Sequence, residues 1–165
     1  DELKEILFTN KISHANEMHQ RGVPIMYDPG QGLPMFDKSE ILGFIDQAKW
    51  IILNEYEANL ISEITELSLD QIKSQVSALI VTKGGDGSNI YIGDEVILVD
   101  PIQVEKEADP TGCGDAYRAG LIYGMINDLG MEKSGKLGSI LGSIKVQSHG
   151  TQNHQFEPEK LLSML

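Results

Sequence analysis

Short runs of apolar residues alternate with amphipathic segments through the first half of the chain. Continuous apolar runs at 23–28, 49–54 and 78–82 predict strands, and their lack of polar alternation indicates a sheet covered on both faces. Apolar positions at helical spacing predict helices over 3–21, 39–46, 55–64 and 68–77. Ser39 is the expected N-cap of the second of these helices. Strands that alternate with helices favour a mostly parallel sheet.

The pattern changes after residue 87. Two short apolar segments, 88–92 and 95–99, flank Gly93-Asp94, a dipeptide that favours a hairpin turn. Helical spacing then resumes and predicts helices over 112–129, 132–148 and 158–165. Together with the first half of the chain, this order predicts a three-layer α/β/α domain. Its mostly parallel sheet would end in an antiparallel edge hairpin.

The composition is that of a globular domain. The 165 residues are 41% hydrophobic and 23% charged, and no apolar run approaches the ~20 residues that a membrane span requires. The net charge of −12 argues against nucleic acid or an anionic membrane as a partner, because both carry negative charge. A single cysteine excludes an internal disulfide, and the start of the chain does not resemble a signal peptide. We therefore expect a cytoplasmic protein.

The segment 109–120 carries the strongest chemical signal. Its first seven residues, Asp-Pro-Thr-Gly-Cys-Gly-Asp, place two glycines and a carboxylate at a turn that opens a predicted helix. Glycines let backbone N–H groups approach a ligand closely, and the free N–H groups of a helix start attract anions. The carboxylate of Asp115 would lie beside a bound phosphate, where it could accept a proton. The alternative is an ordinary helix start capped by Asp or Thr.

The same segment closely resembles the D-T-x-G-A-G-D signature of the ribokinase-like (pfkB) carbohydrate kinases. The match comprises Asp109, Thr111, Gly112, Gly114 and Asp115. Cys113 replaces the usual alanine, a mild departure because this position would act through its backbone N–H. The resemblance implies in-line transfer of the γ-phosphoryl group of ATP to a hydroxyl group, with Asp115 accepting the hydroxyl proton. Charge on the transferring group would be stabilised by the N–H groups of Gly112, Cys113 and Gly114.

Asn54 and Glu57 follow the second predicted strand, with the spacing of the N-x-x-E motif of the same family. The carboxyl ends of strands are where ligands bind in open α/β sheets. The resemblance implies that Glu57 acts near the phosphates and their Mg²⁺ ion through water, which suits an ion that loses its water reluctantly. The alternative is a capping box, with Asn54 as N-cap and Glu57 at the third helical position.

The segment 82–87 follows the third predicted strand and resembles the T-x-G-x-x-G nucleotide loop of the family. The match comprises Thr82, Gly84 and Gly87. Glycines there would admit the ribose and phosphates, and Lys83 could reach a phosphate oxygen. The loop is neither a Walker A motif nor the G-x-G-x-x-G fingerprint of an NAD-binding oxidoreductase, which disfavours that class. The alternative is a turn that leads into the next strand.

Asp28 and Arg118 have two interpretations each. Asp28 ends the first predicted strand, where it would face the phosphate or acceptor pocket or else begin a turn. Arg118 follows Asp115 by three residues, so the two lie on the same face of the predicted helix. It would pair with an acidic neighbour or hold the transferring phosphate, or else be an exposed helical arginine.

The resemblance also implies a monovalent cation, K⁺, which many members of the family bind. The loop that begins at Gly150 would lie near this ion, with Asp109, Thr111 and Ser148 as further candidate ligands. Ser139, which lies earlier on the same predicted helix as Ser148, would flank the adenine of the nucleotide.

The resemblance covers nearly the whole chain, residues 1–165, as the C-terminal, nucleotide-binding part of a longer kinase. The N-terminal part of the family, with the small β lid and most contacts to the acceptor, has no counterpart here. A second copy, or the missing part, would cover the surfaces this leaves unprotected. Adenosine is the first expectation for the acceptor, and a ribose- or fructose-type sugar the second. The competing class is a nucleotide-binding fragment or assembly partner without turnover.

Overall fold

The computed structural model describes residues 12–165 of the chain. Within this range, one sheet holds five strands in the order β1-β2-β3-β4-β5. They are β1 (Ile25–Tyr27), β2 (Ala48–Asn54), β3 (Ala78–Thr82), β4 (Ser88–Ile92) and β5 (Glu95–Val99). The helices are α1 (residues 12–20), α2 (Lys38–Gln47), α3 (Glu55–Thr65), α4 (Leu69–Lys73), α5 (Cys113–Ile126), α6 (Met131–Val146) and α7 (Pro158–Leu162). No helix in this range is long and apolar enough to cross a membrane.

The sheet has the mixed character that the sequence predicts. Strands β1 and β2 pair in parallel, with Tyr27 opposite Ile51, and their register shifts between Ile25 and Met26. Strands β4 and β5 are neighbours joined by a two-residue turn at Gly93, whose φ is 55°. Only antiparallel strands can be joined by so short a turn, so these two form the predicted hairpin.

Several predicted boundaries move by a few residues, and one cap is different. The side chain of Asp37, and not of Ser39, caps α2: its Oδ1 accepts from the Glu40 N–H at 2.9 Å, while the Glu40 carboxylate accepts from the Asp37 N–H at 2.8 Å. Ser39 donates its hydroxyl to the same Asp37 carboxylate. Helix α4 ends at Lys73, earlier than predicted. Residues 3–11 of the first predicted helix lie outside the described range.

The chain divides into two compact units, of which the first contains the residues up to Val81 and 91–95. Its core consists of side chains from β1–β3 and the helices around them. Ile41, Ile45, Ile51, Ile61 and Leu79 have no exposed surface. The rings of Tyr27 and Phe44 stack at 4.9 Å between centroids. Apolar side chains on both sides of β2 explain why this strand lacks polar alternation.

The second unit contains residues 82–90 and 96–165, and its main contact is between α5 and α6. Glycines let the two helix backbones approach closely. A Cβ at Gly120 would lie 2.7 Å from the Leu137 carbonyl oxygen, and one at Gly138 would lie 2.8 Å from the Tyr117 carbonyl oxygen. Such distances leave no room for any side chain, so these glycines let the middle of α5 pack directly against the middle of α6.

Candidate active site

A cavity of about 230 Å³ lies within the second unit. Three predicted segments meet around it: the loop after β3, the start of α5 and one face of α6. The predicted site residues that line it are Thr82, Gly84, Gly87, Cys113, Gly114 and Ser139. Apolar side chains, among them Ile102, Val104 and Val146, cover much of the rest. A mostly apolar cleft with a few polar groups is typical of a site for a small organic ligand.

The loop after β3 is a tight turn that depends on its glycines. The Lys83 N–H donates to the Gly87 carbonyl oxygen at 2.8 Å, and between these residues the Gly87 N–H donates to the Gly84 carbonyl oxygen at 3.3 Å, which closes a single 3₁₀ turn over Gly84–Asp86. Gly87 has φ 85° and ψ −139°, and a Cβ there would lie 2.1 Å from the Val99 carbonyl oxygen. Only glycine can occupy this position, and the tight turn leaves backbone rather than side chains on the cavity wall.

The start of α5 has the geometry of an anion site. Gly112 adopts the left-handed conformation, with φ 86°, and the helix begins at Cys113. The N–H groups of a first helical turn lack partners within the helix and carry the positive end of its dipole. The Cys113 N–H, one of three donors expected for the transferring phosphate, here donates to the Pro110 carbonyl oxygen at 3.1 Å. A bound phosphate would have to compete for this donor.

The side chains of Asp115 and Arg118 form an ion pair across one turn of α5. The Asp115 side chain is 71% exposed, whereas that of Arg118 is 32% exposed. The pair orients the Asp115 carboxylate at the helix start, and it is one of the two functional interpretations of Arg118 made from the sequence. Neither residue belongs to the wall of the cavity as the structure has it.

Asp109 joins the loop before α5 to the loop after α6. Its Oδ1 accepts from the Thr111 N–H and its Oδ2 from the Gly150 N–H, both at 2.9 Å. The Thr111 N–H and hydroxyl, the Gly150 N–H and the charge of Lys145 together lower the pKa of Asp109 to about 2. The carboxylate is therefore ionised at neutral pH. Its two hydrogen bonds hold the loop that leads to Gly112 in place.

Lys145 is the residue near this site that the sequence reasoning missed. Its side chain has no exposed surface, and its Nζ donates to the carbonyl oxygens of Asp109 at 2.8 Å and Ser148 at 3.1 Å. It was assigned no role from the sequence, because a lysine in a helix is usually exposed. A signal was nevertheless present, because Lys145 continues the i, i+4 series of the buried Leu137 and Leu141.

The thiol of Cys113 is half-buried, and its burial raises its pKa, although the charge of Lys145 opposes this. A raised pKa leaves little thiolate at neutral pH, so the side chain is not an activated nucleophile. This fits a position that contributes its backbone to the site.

A second group of predicted residues lies in the first unit. Asn54 and Glu57 form the capping box that was the alternative interpretation: the Glu57 N–H donates to Asn54 Oδ1 at 2.8 Å, and the Asn54 N–H donates to Glu57 Oε2 at 2.9 Å. Burial raises the pKa of the Tyr27 hydroxyl, and the charges of Asp28 and Glu57 add to this. Both carboxylates are therefore close to the same buried hydroxyl, where β1 and β2 end.

A magnesium ion is compatible with these residues. Among residues 12–165, no three acidic, His or Cys side chains form a metal cluster. Nucleotide-bound Mg²⁺ does not need one, since it is held mainly by phosphates and water with one or two carboxylates. The capping box uses Oε2 of Glu57, and a water-mediated contact requires only the remaining oxygen.

A loop rich in glycine, a helix start with an adjacent carboxylate and a mostly apolar cavity are the features expected of a small-molecule kinase that binds its nucleotide in an α/β domain. The sequence profile of the pfkB family carbohydrate kinases matches residues 9–158. The chain belongs to this family, as the signature at 109–115 predicts.

The nucleoside kinase of Methanocaldococcus jannaschii is 35% identical over 141 residues, which are 86% of this chain and 47% of that protein. The structure of the Burkholderia thailandensis nucleoside kinase with inosine matches with a TM-score of 0.93 at 38% identity, over 95% of this chain and 53% of the other. With ADP-inosine, that protein matches with a TM-score of 0.91, over 93% of this chain and 48% of the other. The likeness confirms the predicted ribokinase-like α/β fold. The chain spans about half the length of these relatives.

Proposed function

We propose that the chain is the nucleotide-binding part of an ATP-dependent nucleoside kinase. The observation that carries this proposal is the start of α5, where a left-handed Gly112 turns the backbone into a helix whose first turn holds Asp115. It supplies both an anion site and a proton acceptor, which phosphoryl transfer to a hydroxyl requires. The nearby cavity in the same unit supplies a place for the base and ribose of the donor.

The donor nucleotide would lie along the cavity. Ile102, Val104 and Val146 provide apolar surface for the adenine, and Ser139 provides a polar group beside it. The loop at Thr82–Gly87 would pass beneath the ribose and phosphates, with Lys83 reaching a phosphate oxygen. The phosphates would then extend from Gly114 to the open N-terminus of α5.

In the proposed transfer, the acceptor hydroxyl oxygen forms a bond to the γ-phosphorus as the bond to the β,γ-bridging oxygen breaks, which leaves ADP. Asp115 accepts the hydroxyl proton, and Arg118 orients its carboxylate for this. The N–H groups at Gly112–Gly114 stabilise charge on the transferring oxygens. Bound Mg²⁺ would neutralise phosphate charge.

The acceptor that we propose is a purine nucleoside. Adenosine is the first candidate, and inosine is a further candidate of the same class. Support comes from the Burkholderia relative, whose structure contains inosine, and from the nucleoside kinase of Methanocaldococcus. A ribose- or fructose-type sugar is the second candidate, because the family as a whole is one of carbohydrate kinases. A nucleotide-binding fragment without turnover is the remaining alternative, favoured by the half-length match to the relatives.

The test is ADP release by the full-length protein with adenosine, inosine, ribose and fructose 6-phosphate in turn. We expect turnover with a nucleoside, and a loss of about 10²–10⁴-fold in kcat for Asp115→Asn. Asp128→Asn, an exposed carboxylate beyond the other end of α5, is the matched control. Equal turnover of Asp115→Asn and wild type would exclude Asp115 as the base. Turnover with none of the four acceptors would favour the fragment without activity.

A further inference from the structure

The buried ammonium group of Lys145 has an unusual set of partners. It lies in the last turn of α6, and it contacts two backbone carbonyl oxygens, those of Asp109 and Ser148. The ionised carboxylate of Asp109 adds an attractive negative charge close by. A buried cation is tolerated only when oxygen atoms replace its water, and here backbone oxygens of two different loops do so.

These oxygens belong to the residues that the family resemblance suggests for K⁺. Asp109 and Ser148 contribute their carbonyl oxygens to the ammonium, and Asp109 also binds Thr111 and Gly150 through its carboxylate. K⁺ and an ammonium group are similar in size, and both require several oxygen ligands. Two cations cannot share the same oxygens a few ångströms apart without strong repulsion. The residues present therefore do not fit a K⁺ ion.

We infer that Lys145 is a built-in cation, which makes the phosphate-binding start of α5 independent of any monovalent metal ion. The ammonium draws the Asp109 backbone towards the end of α6, where the N–H groups of Ala108 and Asp109 also donate to the Val146 carbonyl oxygen at 2.7 and 3.0 Å. These bonds hold the loop that leads from Asp109 to Gly112 in place. Lys145 is thus a positioning residue for the proposed phosphoryl transfer, and its effect on activity rests on that proposed function.

The first experiment needs no variant. The melting temperature of the full-length protein is measured in KCl, NaCl and choline chloride at equal ionic strength, with and without ATP and Mg²⁺. We expect the same melting temperature and the same nucleotide-induced shift in all three salts. A rise specific to K⁺ would overturn the inference. The melting temperature does not depend on turnover, so it remains informative even if the proposed kinase activity fails.

The second experiment removes the ammonium and leaves the oxygens. Lys145→Ala should melt at a temperature lower by on the order of 10 °C in choline chloride, and KCl or NH₄Cl should restore much of the loss. Lys145→Met fills the space with an apolar chain, so it should be destabilised without rescue by either salt. Lys133→Ala, an exposed lysine of the same helix, should behave as wild type.

The variants have outcomes that contradict the inference. If Lys145→Ala melts at the same temperature in choline chloride and KCl, no cation site exists among these oxygens and the inference is wrong. If Lys145→Ala folds in neither salt, the salt series on the wild-type protein decides. When turnover is measurable, Lys145→Ala should also gain an activation by K⁺ in kcat that the wild-type protein lacks.

Discussion

The hydroxyl groups of Ser88 and Tyr117 form a buried hydrogen bond of 2.7 Å that links β4 to α5. Burial raises the pKa of Tyr117, so its hydroxyl remains protonated at any physiological pH. The Tyr117 ring also lines the cavity, and its position supports the close approach of Gly138. The bond thus joins the wall of the cavity to the sheet.

Tyr117→Phe removes one partner of this bond and leaves the Ser88 hydroxyl buried without it. We expect a loss of about 1–3 kcal/mol in the free energy of unfolding, measured by urea denaturation. The double variant with Ser88→Ala should lose less than the sum of the two single variants, because both partners are then gone. Tyr123→Phe on the exposed side of α5 is the control and should be within about 0.5 kcal/mol of wild type. Additive losses would show that the two hydroxyls are not coupled.

Gly87→Ala should destabilise the second unit and weaken nucleotide binding. The new methyl group would lie 2.1 Å from the Val99 carbonyl oxygen, at a backbone conformation that only glycine adopts readily. We expect a loss of about 3 kcal/mol or more in the free energy of unfolding. Gly85→Ala, two residues away with no atom within 4 Å of the new Cβ, should change stability little. Similar denaturation midpoints for the two variants would contradict the proposed close approach.

Gly142→Leu tests whether the cavity holds the nucleotide. Gly142 lines the cavity, and a Cβ there would meet only the Cys113 carbonyl oxygen, at an ordinary 3.8 Å. The backbone should therefore accept the change while the leucine side chain fills the cavity. We expect the dissociation constant for ATP to rise at least about tenfold, or about 1.4 kcal/mol, in calorimetric titration of the full-length protein.

The matched control for this experiment is Gly43→Leu in α2, where a Cβ would meet no atom within 4 Å. Both changes replace a helical glycine by leucine, so both gain helix propensity, and only the position differs. An unchanged affinity for ATP in Gly142→Leu would place the nucleotide elsewhere.

The pKa of Asp109 predicts a specific acid sensitivity. The folded protein lowers this pKa from 3.8 to about 2. The ionised form is thus favoured in the folded state. Its stabilisation is complete above the ordinary pKa and is lost as the pH falls from about 5 towards 2. The difference in unfolding free energy between wild type and Asp109→Asn should therefore shrink over this range. Glu95→Gln, an exposed control, should not reproduce this change, and a difference constant with pH would contradict the assignment.

Much of the fold could be predicted from the sequence because it depends on local patterns. Buried strands such as β2 and β3 are continuous apolar runs, and the β4–β5 hairpin follows from its turn residues. The cap of α2 was misassigned because both Asp37 and Ser39 are good caps, and only the geometry at Glu40 decides between them. The choice between two nearby capping residues is therefore settled only by the three-dimensional structure.

The candidate site shows the same limit. Gly112 and Gly87 were identified from their motifs, and the structure places both at a positive φ, which glycine adopts readily. The hydrogen bond from the Gly150 N–H to Asp109 joins residues 41 positions apart, and the one from Lys145 to Asp109 joins residues 36 positions apart. Contacts between residues so far apart in sequence depend on how α6 packs, and a short sequence motif contains no information about that packing. The roles assigned to the site residues stay predictions for the experiments above.

The glycine contact between α5 and α6 has a consequence for the energetics of binding. Cys113 and Gly114 at the start of α5 and Ser139 and Gly142 on α6 line the same cavity, and the two helices are in contact beside it. Because the two backbones touch at Gly120 and Gly138, we expect these parts of the lining to move together and the cavity to keep its shape without a ligand. A nucleotide entering it would cost the protein little conformational entropy, so discrimination among bases would rest on shape rather than on induced closure.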